Sequence, residues 1–130
     1  LLNSSYFSFT GKERRQGFTY LKQDNRSLLH PLPGTGWFAL DSLDLKDVHA
    51  VDIVSNRDSA AGGTYMVEIR LDKPDGLLLG SGKLGAAGIK GSSVNSRVRL
   101  KPVEDGNFHT LYFVLTASGG GMNVEAVEFR

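Results

Sequence analysis

The residues able to do chemistry in this chain are few and far apart. His30, His49 and His109 are its only histidines, and none has the HxH or HExxH spacing that gathers imidazoles around a metal ion. His49 and His109 fall in alternating apolar stretches, where a hydrogen-bonded structural histidine is expected. His30 precedes a proline-rich loop and is the one placed to touch a ligand. No GxSxG elbow, phosphate-cradling loop or dinucleotide fingerprint occurs. Glycoside hydrolysis needs two carboxylates facing each other across a cleft, and the acids here are spread over turns and strand faces. Asp41, Asp44 and Asp47 stand three apart; they are either oxygen ligands for calcium or solvated, turn-forming acids. Catalysis has no candidates. Binding does: a sugar is held by an aromatic ring under its C–H face and by amide or charged groups on its hydroxyls. Trp37, Tyr20, Asn95 and Asn123 are of these types and lie near predicted junctions of loops and strands, with His30 as a further contact. For Trp37 the competing role is core packing.

Composition narrows the frame for these residues. The chain has 130 residues, enough for one domain that buries about two-thirds of its unfolded surface. It has no cysteine, so neither disulfides nor thiolate metal sites contribute. Fifteen basic and fourteen acidic residues give a net charge of +1, and no basic patch is interleaved with aromatics, so nucleic acid is not an expected partner. No apolar run approaches the ~20 residues of a membrane span. No signal peptide is legible, and the chain begins at Leu1. It is therefore expected to be a processed product or one domain of a longer polypeptide.

The elements that must position the candidates read as strands. Sixteen glycines, four prolines and no long helical period predict many short strands and turns. The clearest signal spans residues 62–80, GGTYMVEIRLDKPDGLLLG. There Tyr65, Val67, Ile69 and Leu71 alternate with Met66, Glu68, Arg70 and Asp72, and a Lys73-Pro74-Asp75-Gly76 turn with positive φ at the glycine precedes a return strand. Further strands are expected over 6–10, 18–21, 37–40, 48–54, 94–101, 109–117 and 122–130. Residues 111–115 are apolar on both faces, as suits a central strand. Residues 12–16 (KERRQ), 30–36 (HPLPGTG), 55–63 and 80–93 read as loops or turns, two prolines and two glycines arguing against a strand over 30–36. With eight or nine strands and no helix, the chain is expected to be all-β, a two-sheet antiparallel β-sandwich of the jelly-roll type.

Four segments in order resemble family 6 carbohydrate-binding modules: GTGWFALDSLDL at 34–45, the 62–80 hairpin, GNFHTLYFVL at 106–115 and MNVEAVEF at 122–129. The resemblance implies a jelly-roll domain that binds polysaccharide or oligosaccharide without catalysis. It also implies a cleft among loops at one edge, and in most members a structural calcium but no other cofactor. Asn123 matches the asparagine that the family carries in its closing strand. The sequence departs from the family pattern at 92–96, where SSVNS holds no tryptophan, and at Ala126, where an aromatic is usual. The N-terminal Ala-Glu pair that helps to hold calcium is also missing from 6–10.

Two functions follow as expectations. The first is a carbohydrate-binding domain of a secreted or periplasmic bacterial protein, such as a glycoside hydrolase or sugar-oxidising enzyme, using Asn123, Trp37, Tyr20, His30 and Asn95. The second is a structural or interaction sandwich that has lost its sugar site and packs on neighbouring domains. An enzyme would need Tyr, His, Arg or Lys clustered in one groove, and no such cluster can be assembled from the sequence.

Overall fold

The computed structural model describes residues 5–57, 65–84, 92–117 and 121–130, and within them eleven strands and no helix. One sheet holds β1 (Tyr6–Ser8), β3 (Phe18–Gln23), β4 (Arg26–Pro31), β6 (Ala50–Arg57), β9 (Val94–Arg99) and β11 (Met122–Phe129). Their order is β3-β4-β11-β6-β9, with β1 also on β11. The other sheet holds β2 (Arg15–Gln16), β5 (Thr35–Asp44), β7 (Tyr65–Leu71), β8 (Leu77–Leu84) and β10 (Phe108–Ala117), in the order β2-β5-β10-β7-β8. Every pairing is antiparallel. The expected two-sheet jelly-roll sandwich is the fold.

Strand alternation sends one set of side chains from each sheet into a shared core. Val51, Ile53, Leu29, Val124 and Val127 enter from the six-stranded sheet, and Phe38, Val67, Ile69, Leu111, Phe113 and Leu115 from the other. Phe38 stacks on Phe113 at 4.8 Å, and Phe9 and Phe18 meet Phe38 edge-on. Each such side chain contributes roughly 1.5–3 kcal/mol by leaving water, and together they set which residues remain on the outer faces.

Several local expectations are corrected. Arg15 and Gln16 form β2 against Phe38 and Trp37 rather than a solvated loop. His30 and Pro31 complete β4, while Thr35 and Gly36 begin β5, leaving 32–34 as the connection. Pro31 fits because β4 meets β11 at Leu29 and Val124, so no neighbour on that side needs an N–H from the proline. Ser55, Asn56 and Arg57 are buried strand residues paired with β11, not a polar connection; the rest of that expected loop, 58–63, lies outside the described residues. In the 72–76 turn the positive φ falls on Asp72 (67°), whereas Gly76 is needed because a Cβ there would strike the Leu71 carbonyl. Residues 80–84 extend β8 rather than opening a loop. Gly80 is small because a Cβ would run into the Arg99 carbonyl, where Lys101 N–H donates to the Leu79 carbonyl across 2.9 Å. Residues 85–91 of the expected loop also lie outside the described residues.

Candidate functional site

On the outer face of the six-stranded sheet, Asn123 pairs in register with Asn56, and the neighbouring Val124–Leu29 pair brings His30 beside it. The His30 Nδ1–H donates to Asn123 Oδ1 over 2.7 Å, and the Asn123 amide donates to Asn56 Oδ1 over 3.1 Å. Asn123 is wholly buried and His30 half-buried. Glu125 sits where β11 bulges between Val124 and Ala126; it accepts from Arg26 Nη1 at 2.6 Å and from the Ser93 hydroxyl. Burial pushes the Glu125 carboxyl up, but hydrogen bonds from Ser93, Arg26 and Asn56 outweigh it and hold the group below its ordinary range. Asn95, opposite Val54 on β9, is exposed on this same face.

Tyr20 stands on the other side of β3, packed against the core. Its hydroxyl accepts the Glu13 N–H at 2.9 Å and donates to the Glu13 carboxylate, which also accepts from the Thr10 and Gly11 backbone. The Arg15 guanidinium lies 4.4 Å over its ring. Tyr20 is thus a strut fastening residues 10–15 to the sandwich. Burial together with the Glu13 carboxylate raises its pKa.

Trp37 is on the opposite sheet. The registers of β2, β5, β10, β7 and β8 place Gln16, Trp37, Val114, Glu68 and Ser81 side by side in one row across the outer face. The next row runs Ala39, Tyr112, Arg70 and Leu78, with Arg14 beside Ala39 through an N–H to carbonyl bond of 3.0 Å. Trp37 is half-buried and meets the Tyr112 ring edge-on at 4.9 Å. Arg14 donates to the Tyr112 hydroxyl at 3.0 Å and to Asp41, whose other partner is the Thr110 hydroxyl. Arg14 holds the Asp41 carboxyl below its ordinary range. The result is an indole between an amide on one side and a carboxylate two strands away on the other, roughly 10 Å off at the usual strand spacing.

The five residues nominated from sequence therefore divide three ways. His30 and Asn123 are joined and Asn95 shares their face; Trp37 stands on the opposite outer face; Tyr20 turns to the core. Tyr112, Gln16 and Glu68 were not nominated. The period of two in residues 109–117 puts Tyr112 on the face away from Leu111 and Phe113, so parity carried that signal; the neighbourhood of Gln16 depended on recognising β2. Asp41 stands apart from the other two aspartates, held by Arg14 and Thr110, and Asp44 accepts the Lys46 N–H at 3.1 Å. Among the described residues no three His, Asp or Glu side chains gather to hold a metal.

No family model and no curated protein matches this chain. Solved structures do. A family 6 carbohydrate-binding module from Clostridium cellulolyticum in complex with xylose superposes with a TM-score of 0.79 at 17% identity, over 98% of this chain and 97% of that one. A β-1,3-glucan-binding family 6 module from Bacillus halodurans gives 0.74 at 19% identity, over 98% and 96%. This chain has the fold of family 6 carbohydrate-binding modules. This chain also superposes on 24% of a glycoside hydrolase family 43 arabinoxylan arabinofuranohydrolase from Bacillus subtilis, with a TM-score of 0.67 at 17% identity over 90% of this chain. At such identities the likeness is one of fold, and the contacts this sandwich makes must be read from its own side chains.

Proposed function

We propose that this domain is a non-catalytic carbohydrate-binding module that seats a polysaccharide or oligosaccharide on the outer face of its five-stranded sheet. The observation that carries the reading is the half-buried Trp37, braced by Tyr112, with Gln16 beside it and Glu68 two strands away in the same row. A pyranose ring laid on the indole would put hydroxyls toward Gln16, which donates and accepts, and toward Glu68, which accepts. The His30–Asn123 pair and Asn95 support a second contact at the edge of the other sheet, in which His30 and Asn95 touch sugar and buried Asn123 holds the His30 ring. Its natural setting, on this reading, is a secreted or periplasmic bacterial protein such as a polysaccharide-degrading enzyme, in keeping with the hydrolase that contains the same fold.

Calorimetric titration with xylan, β-1,3-glucan and cello-oligosaccharides, with and without calcium, tests the proposal. Saturable binding to at least one glycan, weakened by Trp37→Ala in a folded domain, is the expected result. Binding that Trp37→Ala leaves unchanged would move the site to His30 and Asn95. No binding to any glycan would overturn the module reading in favour of a sandwich that packs on neighbouring domains.

A further inference from the structure

The end of the sandwich remote from Asn123 holds an open cavity of about 590 Å³ between the connection after β5 and residues 103–107, within the size range of small-ligand sites. Phe108 lines it and is 73% exposed, the most exposed large apolar side chain among the described residues. The β5–β10 register sets Phe108 directly opposite Asp44. Asp44, Asp47 and Glu104 bring acceptors to the same cavity, Lys46 a donor, and Asn107 both.

The walls are fixed before any ligand arrives. Asp105 accepts the Asn107 N–H at 3.0 Å and a His109 ring nitrogen at 2.8 Å, and the other His109 nitrogen bonds Asp72 at 2.8 Å. Residues 104–107 are thereby tied through β10 to the end of β7. On the facing wall, Asp44 caps the Lys46 N–H and Asp47 holds a φ of 62°. An open aromatic ring beside preorganised polar groups of both kinds is the chemistry that holds a polyhydroxylated ring.

We infer that this cavity is a further carbohydrate subsite, apart from the Trp37 row, in which a neutral sugar residue lies on Phe108 and its hydroxyls donate to Asp44, Asp47 and Glu104. Three carboxylates against one ammonium repel uronate and sulfate groups, so the site selects against acidic sugars. Asp44 lies seven positions beyond Trp37 along β5, roughly 20 Å of extended strand, so one short oligosaccharide cannot occupy both sites. The inference shares with the proposed function only the class of ligand.

The test is amide-resolved NMR titration of the whole domain with cellotriose, xylotriose and laminaritriose, and with trigalacturonic acid as the acidic comparator. Amides of residues 44–47 and 103–108 should shift with at least one neutral trisaccharide, and about ten-fold more weakly with the acidic one. Phe108→Ala, an exposed position, should weaken these shifts about ten-fold while leaving those of residues 16, 37, 68 and 114 unchanged. Glu104→Gln keeps the shape and should weaken them as well. The inference is overturned if no neutral trisaccharide moves residues 44–47 and 103–108, or if Phe108→Ala leaves their response intact. Shifts at the end cavity with none in the Trp37 row would sustain this inference and sink the sheet-face proposal; the reverse pattern would do the opposite.

Discussion

Trp37 meets Tyr112 edge-on, with ring centroids 4.9 Å apart and planes inclined by 63°, and Tyr112 is fixed in turn by Arg14 through a hydrogen bond and a guanidinium 5.6 Å from its ring centroid. The indole is therefore a braced surface. Such a platform requires no ordering when a sugar arrives, which is the property that turns a weak stacking contact into usable affinity.

Replacing Trp37 by alanine should weaken glycan binding by ten-fold or more, in line with the ~1–3 kcal/mol lost when other stacking rings are removed. Because Trp37 is only half-buried, the melting temperature should fall by a few degrees at most. Tyr112→Ala should lower both affinity and stability, since Tyr112 is 7% exposed and carries the brace. Calorimetric titration alongside a thermal melt separates the two variants.

Asn123→Ala should act on stability before binding. It leaves the His30 ring and the buried Asn56 amide without partners they now have, a change that costs about 1–3 kcal/mol. Urea unfolding should show a lower midpoint with an unchanged slope. A wild-type midpoint with lost glycan binding would instead make Asn123 a direct sugar contact.

His109 makes the domain more stable in mild acid than in mild base. Partial burial disfavours its charged form, but the carboxylates of Asp72 and Asp105, one on each ring nitrogen, outweigh this and raise its pKa. A raised pKa contributes stability that is complete below the ordinary histidine value of about 6.5 and is lost as pH rises through the folded-state value. The melting temperature should accordingly decline above neutrality. Asp105→Asn should flatten that decline, and an unaltered slope in this variant would remove the clasp as its cause.

Gly80→Ala should be among the more damaging single-methyl changes. The added carbon has no room beside the Arg99 carbonyl, so β8 must withdraw from the end of β9, and overpacking of this kind costs about 1–3 kcal/mol. Gly106→Ala gives the informative comparison. That glycine has open space around it but a φ of 77°, so it pays for backbone strain alone. A melting temperature for Gly80→Ala equal to that of the unsubstituted domain would show that β8 yields without resistance.

Much of the sandwich was legible because one face of nearly every strand is apolar. Tyr65, Val67 and Ile69 announced β7 by alternation, and all three are buried where that alternation places them. The reading failed where burial is decided by a neighbour rather than by the residue itself. Ser55, Asn56 and Arg57 look like a solvent-exposed connection, yet pairing with Val124, Asn123 and Met122 draws them into the sheet. Arg15 and Gln16 carry no strand signature, and only the edge of β5 makes them one. Glycine misled for a similar reason: Gly80 is small because of Arg99, nineteen positions away, and no local pattern records that. The candidate site suffered most. Residue types picked out Trp37, His30 and Asn123, but which of them share a face depends on sheet order. That order joins His30 to Asn123 and sends Trp37 to the other side.

The six-stranded sheet has its last strand in the middle. β11, Met122–Phe129, lies between β4 and β6 and also carries β1, so the two halves of that sheet have no common partner until residues 122–129 are available. On the ribosome β3, β4, β6 and β9 all emerge before the strand that unites them. The two halves of that sheet therefore unite only once β11 has been made, at the slow pace of distant β-pairings. Until then the apolar faces of β4 and β6 stay open to chaperones or to aggregation.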